Sequence, residues 1–245
     1  DRSGQLWIST KDGVDLFNKK TKIFSHYKHD ELKPGSLGSN DVGKIIVDRS
    51  GVVWISTYGG GVNKYIPPNP SYKSYSPEDG KGSKSPSASL IEDTKGSIWM
   101  NTVHGLLRFN PGKGTFKRLV PDKDVYLVME DSAGTIWYSA WNESLSKINK
   151  NDQVSYFEDL NGLEFPEFVT AMCNSFNGKI WVGTRDGKIF SLNPTTRKVT
   201  FLFQESNWIE SLCEDNLGLL WICIRKAGIL CYKKKKKNFI YHTHN

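Results

Sequence analysis

The sequence is poor in everything that marks a disulfide scaffold, a membrane span or a familiar catalytic site. Four cysteines among 245 residues are too few for a disulfide framework, and none falls in a C-x-x-C or zinc-type spacing. No apolar run approaches the ~18–20 residues that a membrane helix needs. A charged-then-apolar leader and an initiator Met are missing, so no signal peptide is expected and the chain reads as a piece of a larger protein. P-loop, G-x-S-x-G and H-E-x-x-H motifs are missing too, so no catalytic residue and no cofactor are expected. The five histidines are His26, His29, His104, His242 and His244. His242 and His244 alone are spaced to share a strand face, and no carboxylate follows them, so no metal site is expected.

What is present is apolar and aromatic. Hydrophobic residues make up 38% and aromatic residues 12%, which excludes intrinsic disorder. The net charge is +7, with a run of five lysines at Lys233–Lys237. That run reads as a solvated turn, with an acidic glycan as the alternative partner. Nucleic acid is not expected, because no nucleic-acid-binding motif accompanies the charge.

Six tryptophans occupy matching contexts: Trp7, Trp54, Trp99, Trp137, Trp181 and Trp221. Three residues before each stands a glycine, and the residue just before each is aliphatic. Six residues before stands an Asp in five copies (Asp1, Asp48, Asp93, Asp131, Asp215), with Ser175 in the other. A repeat of this length, with turn residues every ~8–12 positions and no helical stretch, predicts four short antiparallel strands per copy. In the third copy the strands are expected at 89–92, 97–102, 106–109 and 115–119. The predicted fold is all-β: a β-propeller spanning 1–245, five full blades and a first blade lacking its innermost strand, a fragment of a larger seven-bladed or double propeller. Each Trp is expected to pack against the next blade and not to bind ligand. Cys173, Cys213, Cys223 and Cys231 are expected to be free thiols in the core. A Cys213–Cys223 bridge is disfavoured because the tight turn places Cys213 opposite about Leu220.

The stretches Ser36–Val42 with Asp48–Thr57, and Glu130–Trp137, carry the phrase L-x-S-N-x-[IV] … D-x-x-G-x-[IVL]-W. It resembles the two-component regulator propeller repeat, and about six such repeats cover the chain. The resemblance implies the periplasmic sensor region of a hybrid two-component system of the kind common in gut Bacteroidetes. There such propellers precede a β-sandwich, an inner-membrane span and a cytoplasmic kinase. By that resemblance the chain is not itself an enzyme and makes no membrane contact. The resemblance further implies that it binds an oligosaccharide, neutral or acidic, and touches a neighbouring propeller or a second protomer. A scaffold without a ligand site is the first alternative. A propeller enzyme similar to the streptogramin lyases, which share a G-x-[IL]-W phrase, is the second.

Recurring positions build the fold, so a ligand site is sought where the copies differ. The loop after the Trp strand varies from copy to copy, as do the connections between copies. Propeller topology puts these on one face, gathering Tyr58, His104, Trp141, Arg185, Trp208 and Arg225 as candidate ligand-binding residues. Indoles offer flat apolar area and arginines offer paired donors, a combination suited to sugars or a polar partner.

Overall fold

A computed structural model describes residues 1–66, 71–77, 89–141, 143, 145–157, 168–233 and 238–242. These form 23 strands and no helix. The first sheet has three strands, β1 (Leu6–Thr10), β2 (Gly13–Asn18) and β3 (Ile23–Tyr27). The second holds β4 (Val42–Val47), β5 (Val53–Thr57), β6 (Gly61–Ile66) and β7 (Ser71–Tyr75). The third holds β8 (Leu90–Glu92), β9 (Ile98–Thr102), β10 (Gly105–Asn110) and β11 (Thr115–Pro121). The fourth holds β12 (Val125–Glu130), β13 (Ile136–Ala140), β14 (Ser146–Ile148) and β15 (Val154–Tyr156). The fifth holds β16 (Val169–Asn174), β17 (Ile180–Thr184), β18 (Lys188–Leu192) and β19 (Val199–Gln204). The sixth holds β20 (Ile209–Glu214), β21 (Leu220–Ile224), β22 (Gly228–Lys233) and β23 (Asn238–His242). Strands in each sheet follow chain order and pair antiparallel, as the turn spacing predicted. The chain divides into two compact units, residues 1–128 and 129–245.

The Asp of the repeat explains its own spacing. In the second copy, Asp48 Oδ1 accepts the backbone N–H groups of Ser50 and Val52, both at 2.9 Å. Its Oδ2 accepts the indole N–H of Trp54 at 2.7 Å. The same carboxylate-to-indole bond joins Asp1 to Trp7, Asp93 to Trp99, Asp131 to Trp137 and Asp215 to Trp221, at 2.7–2.9 Å. One carboxylate thus caps a turn and satisfies a buried donor, which requires an acceptor at each oxygen. Sequence reasoning assigned only the turn. The copy with Ser175 has no such carboxylate, and Trp181 donates instead to Glu214 of the next sheet at 2.6 Å.

Glycine closes the second recurring turn. At Gly105 φ is +125°, and a Cβ would stand 1.8 Å from the Val120 carbonyl oxygen on the neighbouring strand. The backbone comes too close there for any side chain.

In the first unit, Trp7 and Trp54 pack against the following sheet, as expected. The Trp7 ring lies 4.8 Å from that of Tyr65, and the Trp54 ring 5.6 Å from that of Phe109. Trp54 is only 1% exposed and sits in a cluster with Leu90, Ile98, Met100 and Leu107. In the second unit, Trp181 shares a cluster with Ile209, Leu220 and Ile222. Strands β5, β9, β13 and β17 are buried along their whole length. Strand β21 is not: Leu220, Ile222 and Ile224 are buried, whereas Cys223 is exposed and Trp221 half-buried.

That difference corrects one expectation. The four thiols are free, but only Cys231 is buried. Cys173 is half-buried, and Cys213 and Cys223 are exposed. Cys213 lies opposite Trp221, and Cys223 opposite Ser211. Both are on the Trp221 face of the sixth sheet, the last sheet of the second unit, and no other described sheet of that unit covers this face. The apolar register at Cys213 is real, but burial also needs a covering neighbour.

Candidate functional site

Four of the six candidate residues lie in the second unit, and the fold brings them into contact. Arg185 and Arg225 each stand four residues after a repeat Trp, at the end of β17 and β21. Each donates its backbone N–H to the residue that precedes its sheet's first strand, Arg185 to Phe168 at 3.1 Å and Arg225 to Trp208 at 2.9 Å. This bond fixes the loop and sets a varying residue beside a second varying residue. Trp141 occupies the same position in the fourth sheet.

The side chains form a row. The Phe168 and Trp141 rings stack at 4.3 Å. The Arg185 guanidinium lies over Trp141 at 5.6 Å and over Trp208 at 4.6 Å. Arg225 covers Trp208 at 4.5 Å. Rings and guanidinium planes alternate, and each cation–ring contact at such a half-wet place is worth ~0.5–1 kcal/mol. The contacts hold long side chains in one geometry before anything binds. Trp141 and Trp208 are half-buried, and both arginines are exposed.

The charges of the row are unequal. Arg225 pairs with Glu210 at 3.2 Å, a partner the sequence reading missed. Its signal was its place: Glu210 is two residues from Trp208, the Arg225 backbone partner. Asp186 follows Arg185 but faces elsewhere, held by Lys188 at 2.6 Å and the Thr184 hydroxyl at 2.5 Å. Burial pushes the Asp186 carboxyl up, but bonds from Lys188 and Thr184 outweigh it and hold it below the usual range.

The other two candidates belong to the first unit. Tyr58 is 46% exposed, and its backbone N–H donates to Asp41 at 2.8 Å, the counterpart of the Arg185 and Arg225 bonds. His104 is exposed, and its carbonyl accepts the Arg118 guanidinium at 2.8 Å. Burial pushes the nearby Asp124 carboxyl up, with His104 opposing. Among the described residues no group of three or more His, Cys, Asp or Glu is placed to hold a metal. His244 and the 234–237 part of the lysine run lie outside the described residues.

Comparisons with known proteins bear on the repeat and on the fold. Residues 36–59, which contain Asp48, Trp54 and Tyr58, match the family described as two component regulator propeller. The second copy is thus similar to a two-component regulator propeller repeat. Curated protein sequences contain no match. The chain is similar to the extracellular domain of BT4673 from B. thetaiotaomicron, named as a hybrid two component system, at 16% identity and TM-score 0.56. It is similar to virginiamycin B lyase from Staphylococcus aureus at 12% identity and TM-score 0.78, and to PorZ of Porphyromonas gingivalis at 14% and 0.73. These likenesses cover 97–100% of this chain. They cover 82% of the lyase but 40% of BT4673 and of PorZ, so the chain spans less than half of those two. At such identities they establish the fold, which is that of a β-propeller fragment.

Proposed function

We propose that residues 1–245 are part of the extracytoplasmic sensor propeller of a hybrid two-component system, and that this part recognises an oligosaccharide. The reading places the parent protein in the inner membrane with this part in the periplasm. The observation that carries it is the Phe168–Trp141–Arg185–Trp208–Arg225 row. Sugar hydroxyls accept hydrogen bonds from the exposed guanidinium groups, and the half-buried indoles beside them offer apolar edges to the sugar's C–H groups. The match of residues 36–59 to the repeat and the likeness to an extracellular domain support the sensor context. Tyr58 and His104 join the proposal as candidates from the first unit. Signalling then follows from differential affinity: a ligand shifts the parent, through a neighbouring propeller or a second protomer, toward the arrangement it binds better.

The test is thermal unfolding against neutral and acidic oligosaccharides. A ligand that binds only the folded state raises the midpoint by mass action. A selective rise, lost in Trp208→Ala, is expected. Turnover of a saccharide would move the reading to a propeller enzyme.

A further inference from the structure

We propose that Arg185 is the anchor for an oxyanion carried by the ligand, so that the site selects an acidic saccharide, a uronate or a sulfated sugar, over its neutral counterpart. This rests on the reading of the row as a saccharide site and names the chemistry that the row prefers.

The argument starts from how the two guanidinium groups are used. Arg225 has a carboxylate of its own, Glu210 at 3.2 Å. Arg185 has none among the described residues: its contacts are the two indoles and one backbone bond. The adjacent Asp186 is turned to Lys188 and Thr184 and does not neutralise it. A guanidinium presents five N–H donors in a rigid fork that fits a carboxylate or sulfate at two points. Both indoles contact the guanidinium, the side chain is exposed, and an anion is recognised along the N–H edge of the fork. Immobilising the side chain before binding removes part of the entropy cost that a free arginine carries. The sugar that carries the anion then lies against the exposed edges of the half-buried indoles.

The second arginine sharpens the distinction. Glu210 repels an anion that approaches Arg225, so the row has one guanidinium open to an oxyanion, Arg185, and one already paired. Removal of that carboxylate by Glu210→Gln frees a second fork beside the first.

Calorimetric titration at low salt tests this with trimers of galacturonate, glucuronate and mannuronate, their methyl esters, a sulfated galactose trimer and neutral galactotriose. At least one acidic trimer is expected to bind about tenfold or more tightly than its neutral or esterified form. The uronate and sulfate arms tell which oxyanion fits. Arg185→Gln is expected to remove the preference, Arg185→Lys to retain a fraction of it, and Glu210→Gln to strengthen acidic binding. Unliganded melting midpoints within a few degrees of the parent show that these variants fold. Equal binding of acidic and neutral trimers, or a preference that survives in Arg185→Gln, overturns the oxyanion anchor and leaves the saccharide reading standing. Binding of none of the trimers, acidic or neutral, removes both.

Discussion

At the residue scale the repeat is a problem of acceptors. A turn Asp must serve two backbone donors with one oxygen and an indole donor with the other, and Asn has a single acceptor oxygen to offer. In Asp48 burial pushes the carboxyl up, but bonds from Ser50, Trp54 and the backbone win and hold it below the usual range. In Asp215 the bond from Trp221 leads the same downward shift. A carboxyl depressed in the folded state contributes stability above its unfolded value near 3.9, lost as the pH falls through the folded value. Asp48→Asn is therefore less stable than the parent at pH 7, and the gap narrows as the pH drops below about 4; urea unfolding at pH 7, 4 and 2.5 measures it. The fifth copy allows a sharper check. Glu214→Gln weakens the acceptor for Trp181, with a cost of about 1–3 kcal/mol. Ser175→Asp supplies the missing carboxylate, so the double variant recovers most of the loss in a denaturant double-mutant cycle.

At the scale of the strand and the sheet, residue pattern and neighbour decide burial together. The D-x-x-G-x-aliphatic-W phrase made the strands legible to within a residue or two, because turn chemistry and alternation are local. The third copy was expected at 89–92, 97–102, 106–109 and 115–119, and the strands are Leu90–Glu92, Ile98–Thr102, Gly105–Asn110 and Thr115–Pro121. The exposure of Cys213 and Cys223 was not legible, since a strand residue is buried only where another sheet covers its face. Thiol titration of the native protein follows from this. Cys213 and Cys223 are expected to react rapidly with a disulfide reagent, Cys173 more slowly, and Cys231 only on unfolding. Rapid labelling of Cys231, or protection of Cys223, would show a different packing of the sixth sheet.

For the whole molecule the division is between what recurs and what departs. The recurring Trp, Asp and Gly make sheets that bury one another, and this much was readable from spacing. The departures Trp141, Arg185, Trp208 and Arg225 were readable as candidates because each breaks its copy. Their contact was less so, since it joins loops from three sheets, and Glu210 carried no motif at all. The central claim, that recurring residues build and departing residues bind, is tested most directly by one melting experiment. The parent, Trp54→Ala and Trp208→Ala are unfolded thermally with and without the oligosaccharide that stabilises the parent most. Removing a buried Trp costs about 3–5 kcal/mol, on the order of 10 °C for a chain of this size. The account predicts that Trp54→Ala melts far lower yet keeps the ligand shift, while Trp208→Ala melts near the parent and loses it. A ligand shift that persists in Trp208→Ala and vanishes in folded Trp54→Ala would contradict it.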